Sequence, residues 1–163
     1  MTDTPDFETL FRLTRQMPPE ALILAGTCVL ILYLGIWAVI CFYLWRNAAR
    51  VPAEHRRLAP GLVWLQLIPL FNIWWLFVLT SRLSTGWKTH FEARNDFSQG
   101  GCGARIGFVL ATTHAVSNAA QFVPNTLVQI LNVLISLAFF VLLIAYLIVI
   151  NDLAKRSEAG QQG

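Results

Sequence analysis

Four stretches of this chain are almost uninterrupted runs of apolar side chains, and the charged residues lie between and beyond them. Residues 21–45 form 25 positions without a charge, thirteen of them Leu, Ile, Val or Phe. About 20 apolar residues cross a bilayer core roughly 30 Å thick. Residues 127–150 repeat the pattern and end at Asn151, Asp152, Lys155 and Arg156. Both runs predict transmembrane helices. The first does not read as a cleaved signal peptide, because the run is too long, the leader before it is acidic and no A-x-A site follows.

The other two runs are interrupted. Residues 60–80 are long enough to span, yet Pro69 and Asn72 lie at their centre. Proline has no amide to donate and pushes against the preceding turn, so a helix here must kink or break. The run is therefore either a kinked span or a re-entrant hairpin that returns to the face it entered from. Residues 106–123 carry no charge but are broken up by Thr112, Thr113, His114, Ser117, Asn118 and Gln121. Such a segment spans only against other helices. The expected fold is all-α: a multi-pass transmembrane bundle of three or four crossings with a Pro-broken second segment.

Between the runs, residues 81–95 place Leu83, Trp87 and Phe91 four apart, with Arg82, Lys88 and Arg94 on the other faces. This spacing predicts an interfacial amphipathic helix, its apolar side in the acyl boundary or docked on the protein itself. In the leader, Phe7, Leu10, Phe11 and Thr14 trace a weaker stripe, bounded by Pro5 and Pro18-Pro19. The organisation that follows is an amphipathic leader (1–20), one membrane domain (21–150) and a polar C-terminal tail (151–163).

Composition agrees with this pattern. Of 163 residues 56% are hydrophobic and 13% charged, against about 25% charged in soluble domains. That excludes a disordered chain, a disulfide scaffold and a nucleic-acid-binding domain. The formal charge of +3 reads as topology and headgroup contact, since every Lys and Arg lies outside the apolar runs. Candidates for lipid-headgroup contact are Arg46, Arg50, Arg56, Arg57, Arg82, Lys88 and Arg94. If 60–80 is re-entrant, both basic loops (46–59 and 81–105) and the tail share the cytoplasmic side, with the acidic leader outside. If it spans, the leader joins loop 81–105 and the tail. The positive-inside bias favours the hairpin. Cys28, Cys41 and Cys102 have no zinc or disulfide spacing.

The polar residues of the third run fall on one helix face at 100° per residue: Gly103, Gly107, His114, Asn118, Gln121 and Asn125. The Gly103-x-x-x-Gly107 start allows close helix approach. Gln129, Asn132 and Ser136 share a face of the fourth run, joined to the third by Pro124, Asn125 and Thr126. One reading is hydrogen bonding across an antiparallel helix pair. The other is a polar pathway lined by His114, Asn118 and Gln121. His114 is also a candidate haem ligand, but His55 and His90 lie in aqueous loops and offer no second axial ligand within the membrane. No cofactor, metal site or catalytic residue is expected. The apolar runs hold no Asp, Glu, Lys or Arg, and phosphate-binding, nucleophile-elbow, zinc-protease and dinucleotide motifs do not occur.

The segment Trp64-Leu65-Gln66-Leu67-Ile68-Pro69-Leu70-Phe71-Asn72-Ile73-Trp74-Trp75 resembles a group of small uncharacterised bacterial integral-membrane proteins. They share a W-x-x-x-I-P-x-x-N-x-x-W core followed by a basic amphipathic stretch, here 81–95. The resemblance implies the bacterial inner membrane and no particular activity. The function expected is non-catalytic: an accessory or scaffold subunit contacting membrane lipids and a protein partner or further copies of itself. The alternative is a small transporter or channel component using the His114, Asn118 and Gln121 face.

Overall fold

A computed structural model describes residues 18–159. They form α1 (Pro19–Arg50), a 3-10 helix (Pro60–Leu67), α2 (Phe71–Glu92), α3 (Ala104–Ala120) and α4 (Thr126–Ala159), with no strand among the described residues. Two of these, α1 and α4, are long and apolar enough to cross a membrane. The chain divides into two compact units, Met1–Trp37 and Ala38–Gly163, and α1 runs through both. The expected leader stripe at Phe7, Leu10, Phe11 and Thr14 lies outside the described residues.

The described part of the first unit is the N-terminal half of α1. On it Ile23, Leu24, Val29, Ile31 and Leu32 are all more than 60% exposed. Tyr33 and Trp37 meet edge to face one turn apart.

In the second unit the Pro-broken segment becomes a hairpin. Pro60 starts the 3-10 limb, where its missing amide and fixed φ do no harm. The limb ends at Ile68, and the turn closes when the Phe71 amide donates to the Pro69 carbonyl at 2.7 Å. Leu70, between them, sits at φ +63° and ψ −44°, the rarer and strained form of γ-turn. Two side-chain bonds then hold the limbs antiparallel. Trp75 Nε1 donates to the Leu62 carbonyl at 3.0 Å, and Gln66 Nε2 to the Asn72 carbonyl at 3.2 Å. Farther from the turn, Arg82 reaches the Arg57 carbonyl. Gly86 lets the 55–57 backbone pass close by, since a Cβ there would lie 3.3 Å from the His55 carbonyl oxygen.

The separate interfacial helix expected at 81–95 does not form. No breaker intervenes after Phe71, so α2 continues through Glu92. Its apolar stripe runs on from Leu76 and Leu79 through Leu83, Trp87 and Phe91, all nearly fully buried within the protein. The stripe docks on the chain itself rather than on an acyl boundary. The polar tail is likewise helical from 151 to 159, where α4 continues with Leu153, Ala154 and Ser157 buried and Arg156 pairs with Asp152 one turn back.

α3 packs on both α2 and α4. It runs antiparallel to α2, with Gly107 facing Thr80. It is also antiparallel to α4, since Gly103 faces Tyr146 and Ile150 while the Ala120 carbonyl accepts from Gln129. The C-terminal end of α1 joins the same end of α4 through Arg50, which pairs with Glu158 at 3.4 Å and contacts Asn151. These contacts bring the end of α1, loop 51–59, the second half of α2, the start of α3 and the end of α4 together at one end of the second unit. All the Lys and Arg of the described residues lie there. The hairpin turn and the α3–α4 connection point away from it.

Candidate functional site

The sequence gives no warning of the most enclosed polar cluster, where α2, α3 and α4 meet. Tyr146, on α4, is fully buried; its hydroxyl donates to the Thr80 carbonyl at 3.1 Å and lies 3.3 Å from the Ser84 hydroxyl. The Thr80 hydroxyl bonds back to the Leu76 carbonyl at 2.8 Å and lies 3.4 Å from the Gly107 carbonyl. A polar group this deep costs free energy unless bonded, and here each hydroxyl is bonded. Two turns along, His90 Nε2 meets the Ser157 hydroxyl at 2.8 Å, and Arg94 donates to the Ser157 carbonyl at 3.3 Å. Among the described residues, His90 Nδ1 and Trp87 Nε1 are buried without a hydrogen-bond partner.

His90 has a second imidazole beside it, the His55 ring, with centroids 5.5 Å apart. Its pKa is lowered, first by burial, then by the positive charge of Arg94 and by His55; Glu54 acts weakly in the opposite sense. His90 is therefore held neutral, as a hydrogen-bonding strut between α2 and α4. Both histidines, read in the sequence as aqueous-loop residues, belong to this junction. Only the pairing of α2 with α4, 67 positions apart, makes it.

The predicted polar face of the third segment is only partly a helix face. Gly107, His114 and Asn118 lie on α3, whereas Gly103 is its left-handed N-cap at φ +82° and Gln121 its C-cap. Gly107 makes the close approach expected of it: a Cβ there would come within 2.8 Å of Thr80 Cβ and 3.1 Å of the Tyr146 ring. His114 is buried, its ring 4.9 Å from Phe139. Asn118 bonds to the His114 carbonyl of its own helix at 2.8 Å. Gln121 is exposed. Asn125 has left the face altogether and caps α4, its Oδ1 accepting from the Leu127 and Val128 amides. Gln129 secures the connection through the Ala120 and Val123 carbonyls. Asn132 is buried, and across the pair Ser117 meets Ser136 at 2.9 Å.

The basic residues expected at headgroups have different surroundings. Arg56 closes the end of α1, donating to the Ala49 and Val51 carbonyls at 2.8 and 2.9 Å. Arg50 and Arg94 are tied to α4 as described, and Lys88 pairs with Glu92 at 3.6 Å. Arg46, Arg57 and Arg82 are exposed. Of these, Arg82 stands beside an open groove of about 560 Å³ between the hairpin, α2 and Phe108 of α3. At the hairpin break, Asn72 is buried and Pro69 exposed.

Comparison with protein-family models, curated proteins and solved structures finds no match for this chain.

Proposed function

We propose that this chain is a non-catalytic, multi-pass protein of the bacterial inner membrane, acting as an accessory or scaffold subunit. The observation that carries the reading is where polar and apolar groups go. Interior hydroxyls and the His90 ring bond across the helices, knitting α2, α3 and α4 together. Large apolar side chains cover the outside of α1 and α4. An apolar surface of this extent calls for lipid or a partner helix.

In the same reading α1, α3 and α4 cross, while the hairpin enters and returns. From Phe71 to Arg82 the helix rises about 16 Å, roughly half of a 30 Å core. The basic residues gathered at one end of the second unit then face the cytoplasm, the arrangement favoured by the positive-inside rule. Thiol labelling of a cysteine placed at residue 2 tests the topology. Labelling from outside intact cells is expected; protection there would favour four full crossings.

The rival reading, a small transporter or channel component working through His114, Asn118 and Gln121, has less support. Asn118 is turned onto its own helix and Gln121 is exposed. Purification in mild detergent separates the two. A stoichiometric partner is expected, whereas a homo-oligomer that passes solutes in liposomes would favour transport.

A further inference from the structure

The groove beside Arg82 joins an apolar wall to a cationic end. Along its length it is apolar and aromatic, lined by Leu62, Trp74, Phe77, Val78 and Phe108. At one end stand Ser81 and Arg82. Arg56, Arg57 and Arg82 border one small recess there, and among the described residues no carboxylate lines either the recess or the groove. Arg56 is occupied in closing α1. Among the described residues Arg82 makes only a 3.4 Å contact, to the Arg57 carbonyl, and so retains donors for an incoming anion.

We propose that this groove binds one anionic phospholipid. Its phosphate is held by Arg82 with Arg57 beside it, and an acyl chain lies along Phe77, Val78 and Phe108 towards Trp74. The dimensions suit such a ligand. Trp74 and Arg82 are eight residues apart on α2, about 12 Å, so with Arg82 at headgroup level Trp74 lies among the acyl chains. A volume of about 560 Å³ is that of a small-molecule site, typically about 300–1,000 Å³. The guanidinium favours phosphate because its planar fork of donors matches two oxygens at once. The bound lipid would fill the angle between the hairpin and α3, fixing a break that otherwise rests on two side-chain bonds.

The inference rests on the membrane reading above, and the experiment separates their failures. Membranes holding the full-length chain are first washed with alkaline carbonate; release without detergent would sink both. The detergent-extracted protein is then titrated with phosphatidylglycerol or with phosphatidylcholine of the same acyl chains, and bound lipid is counted by native mass spectrometry. One phosphatidylglycerol per chain is expected, preferred over phosphatidylcholine by about tenfold, because both offer a phosphate but phosphatidylcholine also brings a quaternary ammonium against the Arg57 and Arg82 charges. Arg82→Gln should remove the preference, and since Arg82 is exposed the fold does not depend on it. Val78→Trp, which fills the groove, should weaken binding of both lipids. Lys88→Gln, on another face of α2, should change nothing. Equal binding of the two lipids, a preference that survives Arg82→Gln and Val78→Trp, or a second copy of the chain in place of lipid would each overturn the assignment.

Discussion

The two ends of α3 carry similar polar and small residues and use them in opposite ways. At its start Gly107 presses against Thr80 and Tyr146, and three helices close over a fully buried hydroxyl. Near its end Asn118 folds onto its own backbone, Gln121 faces outward, and Asn125 and Gln129 serve only the connection to α4. The difference lies in the number of neighbours. The start of α3 has α2 on one side and α4 on the other, while its last turn is tied to α4 across the short connection. Tyr146, enclosed by three helices, bonds across them; farther along α3, Asn118 bonds within its own helix, although Ser117 still reaches Ser136.

The contrast can be broken most severely at Gly107. Gly107→Val should destabilise the protein by about 1–3 kcal/mol through overpacking against Thr80 and Tyr146. Gly101→Ala, where a Cβ meets only Ala104 at 4.0 Å, should stay within about 0.5 kcal/mol. Unfolding in mild detergent followed by far-ultraviolet circular dichroism measures both, and equal effects would remove the three-helix argument.

Tyr146→Phe should cost about 1–2 kcal/mol, because it deletes the bond to the Thr80 carbonyl and leaves the Ser84 hydroxyl without that partner in a dry site. Ser136→Ala, which removes the bond to Ser117 on the two-helix side, should cost about 0.6 kcal/mol. The same unfolding assay ranks the pair; a larger loss for Ser136→Ala would reverse the comparison.

His90 allows a pH test of the enclosed end. Its pKa is lowered in the folded chain, so the unfolded state takes up the proton first as pH falls. The contribution of neutral His90 is complete above the ordinary histidine value of about 6.5 and declines as pH drops below it. Stability should fall over that range in the native chain and less steeply in His90→Gln; parallel slopes would show that His90 is not the titrating strut. The smallest effect is expected at the open end, where Gln121→Ala should remain within about 0.5 kcal/mol.

Much of the architecture was legible because apolar runs are local signals. The apolar helices covering 21–45 and 127–150 and the break at Pro69 follow from hydrophobicity and a missing amide, and turn chemistry marks a short connection near 124, which in the structure runs over 121–125. Boundaries were less legible: α1 runs on to Arg50, α3 stops at Ala120, α2 takes in 81–92 and α4 takes in 151–159. The stripe of Leu83, Trp87 and Phe91 looks the same whether it meets acyl chains or protein, and the composition of 151–159 is compatible with either a solvated tail or a helix. Burial decided both.

The junction of Tyr146, Ser84, His90 and Ser157 depends on α2 lying beside α4, and no spacing in either segment encodes that pairing. By itself, then, the sequence determined which segments are apolar helices, where one must break and where positive charge concentrates, because each depends on neighbours within a few turns. Tertiary structure alone decided which polar groups are enclosed, which arginines are occupied and which stands at an open groove. Those outcomes depend on partners dozens of residues away, brought together only by packing.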